Sequence, residues 1–374
     1  MEPAPEDPVV LARARPTLGR RGSLALAGLS EAPLAERWAV GLIALFAALA
    51  IYVGLRSGYR IVDVDELVYL RTLTAMRHGV SYYAAMRHAL VLKEGAAPTQ
   101  IRSIRPPTMF LVLACFPAWS WRWLVGGIYV AVLVCAWRLG RVPSLWGGPL
   151  AVALVGFWLL GAAPLLFLHA ELWGLPFALA GVLAARRDRW ALAAACVGAA
   201  VLFRELYAVL FVAGLMFTPR RRPWAVVATA LVALAAVHAA LASSVLAAHG
   251  REAAFGSGGR GLMYVLTAIS PSGSVLGWLI GILTTVGGIW ALAPRVTVHE
   301  NAMERIVSGY VAVMIPLTLV LGRDYWGLTF GPLLACFVPT TVLSLRPHRQ
   351  WSGAMAPRCD TARPPGHPEP PGVP

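Results

Sequence analysis

Apolar and polar residues alternate along this chain in long blocks rather than in the short periods of a soluble fold. Runs of 16–22 mostly apolar residues recur from Trp38 to Leu345, separated by short polar stretches rich in arginine. Runs of that length suit helices that cross a bilayer, whose hydrocarbon core takes about 20 helical residues. They are continuous and do not switch character residue by residue, which excludes a β-barrel. The expected fold class is an all-α polytopic membrane protein.

With the arginine clusters as boundaries, the pattern predicts ten spans. The first is 38–55, followed by a long polar segment, 56–121. Then come 122–137, ending at Arg138 and Arg141, then 147–166, and 172–185, ending at Arg186, Arg187 and Arg189. Two short helices, 190–203 and 205–218, end at Arg220, Arg221 and Arg222. Spans 224–243, 274–293, 306–321 and 327–345 complete the set, with a Gly-rich loop before 274. Residues 1–36 and 346–374 read as disordered tails, and 37–345 as the membrane domain. Within 56–121, the apolar stretch 106–117 is too short to span and reads as a juxtamembrane or re-entrant helix.

Charge sets the expected orientation. The net charge is +14, carried by arginine with a single lysine, Lys93. Such a balance could point to nucleic acid, but the arginines sit in short clusters between apolar runs, where orientation in a membrane accounts for them. An even number of spans puts both tails on the arginine-rich side. The tails are therefore expected in the cytoplasm of a multi-pass protein of the cytoplasmic membrane, and 56–121 outside. Only 13% of residues are charged and 58% are apolar, with a mean hydropathy of +0.66. That composition excludes a water-soluble enzyme. The five cysteines form no CxxC pair, so neither a disulfide framework nor a cysteine metal site is indicated.

The pair at 190–218 carries a geometric argument. A single helix from Arg189 to Arg220 would carry the second cluster to the opposite face. Two helices of roughly 22 Å each keep both clusters on one side and fall short of a core about 30 Å thick. Their tip, Arg204-Glu205, then lies below the outer surface, where a charged pair needs a cavity or a partner. Other ionisable residues on the expected outer side are Asp63, Asp65, Glu66, Arg71, Arg102, Arg105, Arg122, His169, Glu171, Arg323 and Asp324. They come from separate parts of the chain and can line one cavity. Adjacent residues on a helix do not face one another, so Glu205 and Asp324 are not expected to neutralise Arg204 and Arg323. An external phosphate would supply such a partner. His169 and Glu171 are groups that hold divalent cations, but without the spacing of a metal motif. A divalent cation is therefore left open, and the sequence establishes no cofactor. His238, inside span 224–243, reads as a hydrogen-bonded packing residue.

The order of these features resembles the GT-C membrane glycosyltransferases, in particular the branch of protein O-mannosyltransferases and lipid A aminoarabinose transferases. Val64-Asp65-Glu66-Leu67 follows the first span, and Gly79-Val80-Ser81-Tyr82-Tyr83 and Arg105-Pro106-Pro107-Thr108 follow in turn. Arg122 heads the next span, Glu171 with His169 follows the third, and Arg204-Glu205 and Arg323-Asp324-Tyr325 close the series. Arg105 stands where the family has lysine, and Arg204-Glu205 replaces a Lys-Gly turn, so positive charge is retained. The resemblance covers about residues 40–345 in order of features. It implies a GT-C-like bundle of about ten transmembrane helices that moves a sugar from a polyprenyl-phosphate carrier to an extracytoplasmic lipid, glycan or protein, with inversion.

It further implies that Asp65 is the general base, with Glu66 beside it and Asp63 as the alternative base. Arg105, Arg122, Arg204 and Arg323 would bind the donor phosphate. Tyr82, Tyr83, His169, Glu171, Glu205, Asp324 and Tyr325 would line the substrate cavity. The bland readings are helix capping for Asp65-Glu66, helix punctuation for Arg105-Pro-Pro and an interfacial anchor for Arg122 among Trp119, Trp121 and Trp123. A transporter or flippase of a lipid-linked or anionic substrate is the rival function. Transporters are often built from inverted repeats, and the later half holds no second copy of the Asp-Glu or Arg-Pro-Pro pattern.

Overall fold

The computed structural model describes residues 21–56, 64–94, 104–141, 145–162, 168–246, 275–297, 302–321 and 327–340. At Asp65, Glu66 and Arg122 the backbone alone is described. Asp63, Arg323, Asp324, Tyr325, the C-terminal tail and the 247–274 loop lie outside the described residues. Among the described residues all regular structure is helical. The α-helices are α1 (Arg21–Arg56), α2 (Val64–Arg77), α3 (Tyr82–Glu94), α4 (Thr108–Ala114), α5 (Trp121–Gly140), α6 (Gly147–Ala162) and α7 (Ala170–Arg186). Then follow α8 (Trp190–Phe203), α9 (Ala208–Phe217), α10 (Arg221–Ser243), α11 (Val275–Thr297), α12 (Ala302–Leu321) and α13 (Gly327–Ala335). A single 3-10 turn, Glu205–Tyr207, joins α8 to α9.

Among the described residues, four helices are long and apolar enough to cross a membrane: Leu34–Tyr52 within α1, Ala118–Gly140 ending in α5, Arg221–Ser243 and Val275–Leu292. The segments Gly147–Leu160, Trp190–Phe203, Glu205–Phe217 and Thr329–Thr340 are apolar but shorter. Two boundaries differ from the sequence expectation. Helix α1 starts at Arg21, inside the stretch expected to be a disordered tail. Leu24-Ala25-Leu26-Ala27, all strong helix formers, carry the helix upstream. The last span is expected over 327–345: α13 runs to Ala335, helix resumes at 338–340 after a turn at 336–337, and 341–345 lie outside the described residues. Pro339 has no N–H to offer the Ala335 carbonyl, and the chain tightens into i→i−3 bonds, Cys336 to Leu333 and Phe337 to Leu334.

The helices share two apolar cores. The larger gathers buried Phe46, Tyr129, Trp158, Tyr207, Tyr310 and Phe330 from α1, α5, α6, the α8–α9 turn, α12 and α13. Helices α7 and α8 form an antiparallel hairpin within it, and α5 packs against α1, α6 and α7. Close approach is set by small residues. A Cβ on Gly174 would meet the Tyr207 ring at 2.4 Å, so glycine is what lets that ring lie against α7. The smaller core holds Val68, Leu73, Tyr82, Met86, Phe110 and Leu113 of α2–α4, together with Trp121, Trp173 and Ala242 from the bundle. Helices α2–α4 thus form a cap. Its internal turn bonds Gly79 N–H to the Met76 carbonyl with Gly79 at φ +84°, a helix-ending conformation that glycine adopts without strain.

The two ends of the bundle differ in charge. At one end the C-terminus of α5, the C-terminus of α7 and the start of α10 bring Arg138, Arg141, Arg186, Arg187 and Arg220–Arg222. There Arg186 Nη1 donates to the Leu139 carbonyl at 2.6 Å, and Arg141 pairs with Glu36 of α1 at 2.9 Å. At the other end lie the cap, the N-termini of α5 and α7, the α8–α9 turn and the C-terminus of α10.

Candidate functional site

The α8–α9 turn carries the densest group of charges at the cap end. Arg204 leaves α8 in an extended conformation, φ −148° and ψ 120°, and Glu205 begins the 3-10 turn. The expectation that these neighbours cannot face one another is overturned for that reason: Arg204 is not helical, and its Nη1 reaches Glu205 Oε1 at 2.9 Å. On its other side, Arg204 Nε stands 2.6 Å from Glu171 Oε1. The Arg204 and Glu171 side chains are each only 3% exposed. Arg204 thus has a protein carboxylate on each side.

Arg105 arrives at the same acid from the opposite direction. Its Nη1 contacts the same Glu205 Oε1 at 2.9 Å, 100 residues along the chain from its partner. The Arg105 side chain is 25% exposed and Glu205 is 49% exposed. The charges alternate in a chain, Glu171, Arg204, Glu205, Arg105, that runs from the buried core to the surface of the cap. His169 Nδ1 stands 3.9 Å from Glu171 Oε2 at the buried end. Tyr207 donates its hydroxyl to the Glu171 carbonyl at 2.9 Å, which holds the first turn of α7 in place.

The segment that bears Arg105 is held by aromatic hydroxyls and a histidine. Tyr82 of α3 donates to the Arg105 carbonyl at 2.5 Å. His238 of α10 sits 3.2 Å from the Ile104 carbonyl through Nε2 and 3.0 Å from the Tyr83 hydroxyl through Nδ1. Tyr82 and Tyr83, expected to line a substrate cavity, thus take hydrogen-bonding roles behind Arg105. His238, expected to be a hydrogen-bonded packing residue, is hydrogen-bonded; sequence reasoning missed its partners, which lie 134 and 155 residues away.

Of the expected bases, Asp65 and Glu66 lie in the first turn of α2. Tyr69, later on the same helix, packs edge-on against Phe110, which also meets Tyr82. Arg122 follows Trp121, whose indole N–H reaches the Leu113 and Phe116 carbonyls and whose ring lies under Arg77 at 4.5 Å. Among the described residues no cluster of three or more His, Cys, Asp or Glu is arranged to hold a metal ion. Comparison with protein-family models, with curated proteins and with solved structures finds no match to this chain.

Proposed function

We propose that this chain is an integral-membrane glycosyltransferase of the GT-C type, with about ten membrane-spanning helices and both termini in the cytoplasm. It moves a sugar from a polyprenyl-phosphate carrier to a lipid, glycan or protein on the outer face of the cytoplasmic membrane. The observation that supports this reading best is the segregation of charge. Arg105, Glu205, Arg204, Glu171 and His169 converge at the cap end, while the arginine clusters occupy the other.

In this reading an acceptor hydroxyl oxygen attacks the anomeric carbon of the donor. The bond from that carbon to the carrier phosphate breaks, and the phosphate leaves with the electron pair. Asp65 takes the acceptor proton, with Glu66 beside it and Asp63 as the alternative base. Arg105 is the member of the charge chain suited to meet the departing phosphate, because it is partly exposed and shares its carboxylate oxygen with another cation. Its planar fork can change partners from Glu205 to phosphate oxygens. Arg122 and Arg323 are the further phosphate ligands in this reading. Arg204 acts through Glu205 and Glu171 and holds the turn. His169, Asp324 and Tyr325 belong to the acceptor side of the cavity.

The test is turnover by purified, reconstituted protein. A panel of polyprenyl-phosphate sugars is supplied with membrane extract as the source of acceptor, and released polyprenyl monophosphate is measured. Asp65→Asn is expected to lower turnover by about 10²–10⁴-fold with an unchanged melting temperature. A wild-type rate in that variant moves the base to Asp63. Absence of carrier turnover by the wild-type protein across the panel removes the reading.

A further inference from the structure

Pro106 and Pro107 give the Arg105 segment no backbone donors of its own at those positions, so its placement depends on what its carbonyls accept. Two successive carbonyls, of Ile104 and Arg105, are each held by a side chain from a different helix. The proton positions at His238 follow from chemistry. A carbonyl oxygen only accepts, so Nε2 carries the hydrogen toward Ile104, and in the neutral ring Nδ1 accepts from the Tyr83 hydroxyl. His238 lies on a helix that is otherwise almost entirely exposed, and of its residues only Trp224 and Ala242 are fully buried. Ala242 is one turn beyond His238 and is buried in the cap core, so α10 docks on the cap along the face that carries His238.

We propose that His238 is a positioning residue. Together with Tyr83 and Tyr82 it clamps the 104–107 segment and so sets where the Arg105 guanidinium stands relative to Glu205 and to an incoming anionic phosphate. The clamp joins three pieces of chain separated by 134 and 155 residues, α10 to the segment and α10 to α3. Its function rests on the proposed role of Arg105, while the clamp itself is tested apart from that role.

The experiment compares the full-length wild-type protein with His238→Phe, His238→Gln and Tyr83→Phe in detergent. Glutamine can return an N–H toward the Ile104 carbonyl, whereas phenylalanine keeps the ring and donates nothing. Hydrogen exchange at the Ile104 and Arg105 amides and through the first turn of α4 is the first readout. Loss of one or two net hydrogen bonds is expected to speed it about threefold to tenfold in His238→Phe, with His238→Gln close to wild type. Tyr83→Phe is expected to show a smaller change in the same direction, and it reads the clamp where His238→Phe fails to fold. Unchanged exchange in both His238→Phe and Tyr83→Phe overturns the proposal.

The second readout is affinity for a short-chain polyprenyl monophosphate, measured also on Arg105→Ala and on the double variant. A weakening of about threefold to tenfold in His238→Phe that vanishes when Arg105 is already alanine shows that His238 acts through Arg105. Equal weakening in both backgrounds overturns that route. If Arg105→Ala binds the phosphate as wild type does while His238→Phe loosens the segment, the clamp stands and the phosphate reading of Arg105 falls.

Discussion

Arg204 and Arg105 bond the same oxygen of Glu205, yet they are held by regions built in different ways. Arg204 belongs to the bundle. Its side chain is buried between α7 and the α8–α9 turn, its second partner is a buried glutamate, and Gly174 lets Tyr207 close the wall beside it. Arg105 belongs to the cap. Its side chain is partly exposed and pairs with Glu205, while the hydrogen bonds from Tyr82 and His238 hold the backbone of its segment. One cation is part of the framework, and the other stands where a ligand can reach it. Residue type and charge are identical, so burial decides the difference between them.

The sharpest break in that comparison is Arg204→Ala. Removing one member of a buried ion pair leaves Glu171 uncompensated, at a cost of about 3–5 kcal/mol. The expected result is a large fall in melting temperature in detergent, or loss of monodisperse protein, while Arg105→Ala melts near the wild-type temperature. Equal melting of the two variants would erase the distinction. A smaller effect is expected for Gly174→Ala, which drives a methyl into the Tyr207 ring. Overpacking of this kind costs about 1–3 kcal/mol, again read by thermal melting. A wild-type melting temperature there would mean that the ring shifts freely and does not brace α7.

The smallest effect on stability, and the most informative one for ligand binding, is expected from Glu205→Gln. Glu205 is half exposed and, in the proposed reaction, would compete with the phosphate for Arg105, so the variant should melt near wild type and bind polyprenyl monophosphate more tightly. Weaker phosphate binding by Glu205→Gln would show that Glu205 orients Arg105 for the anion instead of competing with it.

Much of the helical layout was legible in the sequence, because arginine clusters and apolar run lengths are local signals. The short pair expected at 190–203 and 205–218 matches α8 and α9 with the turn between them. The partnering of Arg204 was not legible. The spacing rule for neighbours assumes a continuous helix, and a single extended residue at the end of α8 reverses its outcome. Glu171 as the second partner, and His238 behind Arg105, join residues 33 to 134 positions apart. No periodicity reports contacts at such separations. The early start of α1 was hidden by alanine- and arginine-rich composition, which disordered tails and helices share.

Helix α10 has one further consequence. Its two fully buried residues, Trp224 and Ala242, are 18 positions apart, which is about five whole turns. Both therefore lie on one meridian of the helix. Trp224 seats in the bundle against Phe211 and Gly214, and Ala242 seats in the cap. The helix acts as a ruler that fixes both the distance and the angular phase between framework and cap. One extra residue between these two anchors would turn His238 about 100° away from the segment it holds, without altering a single side chain at the site.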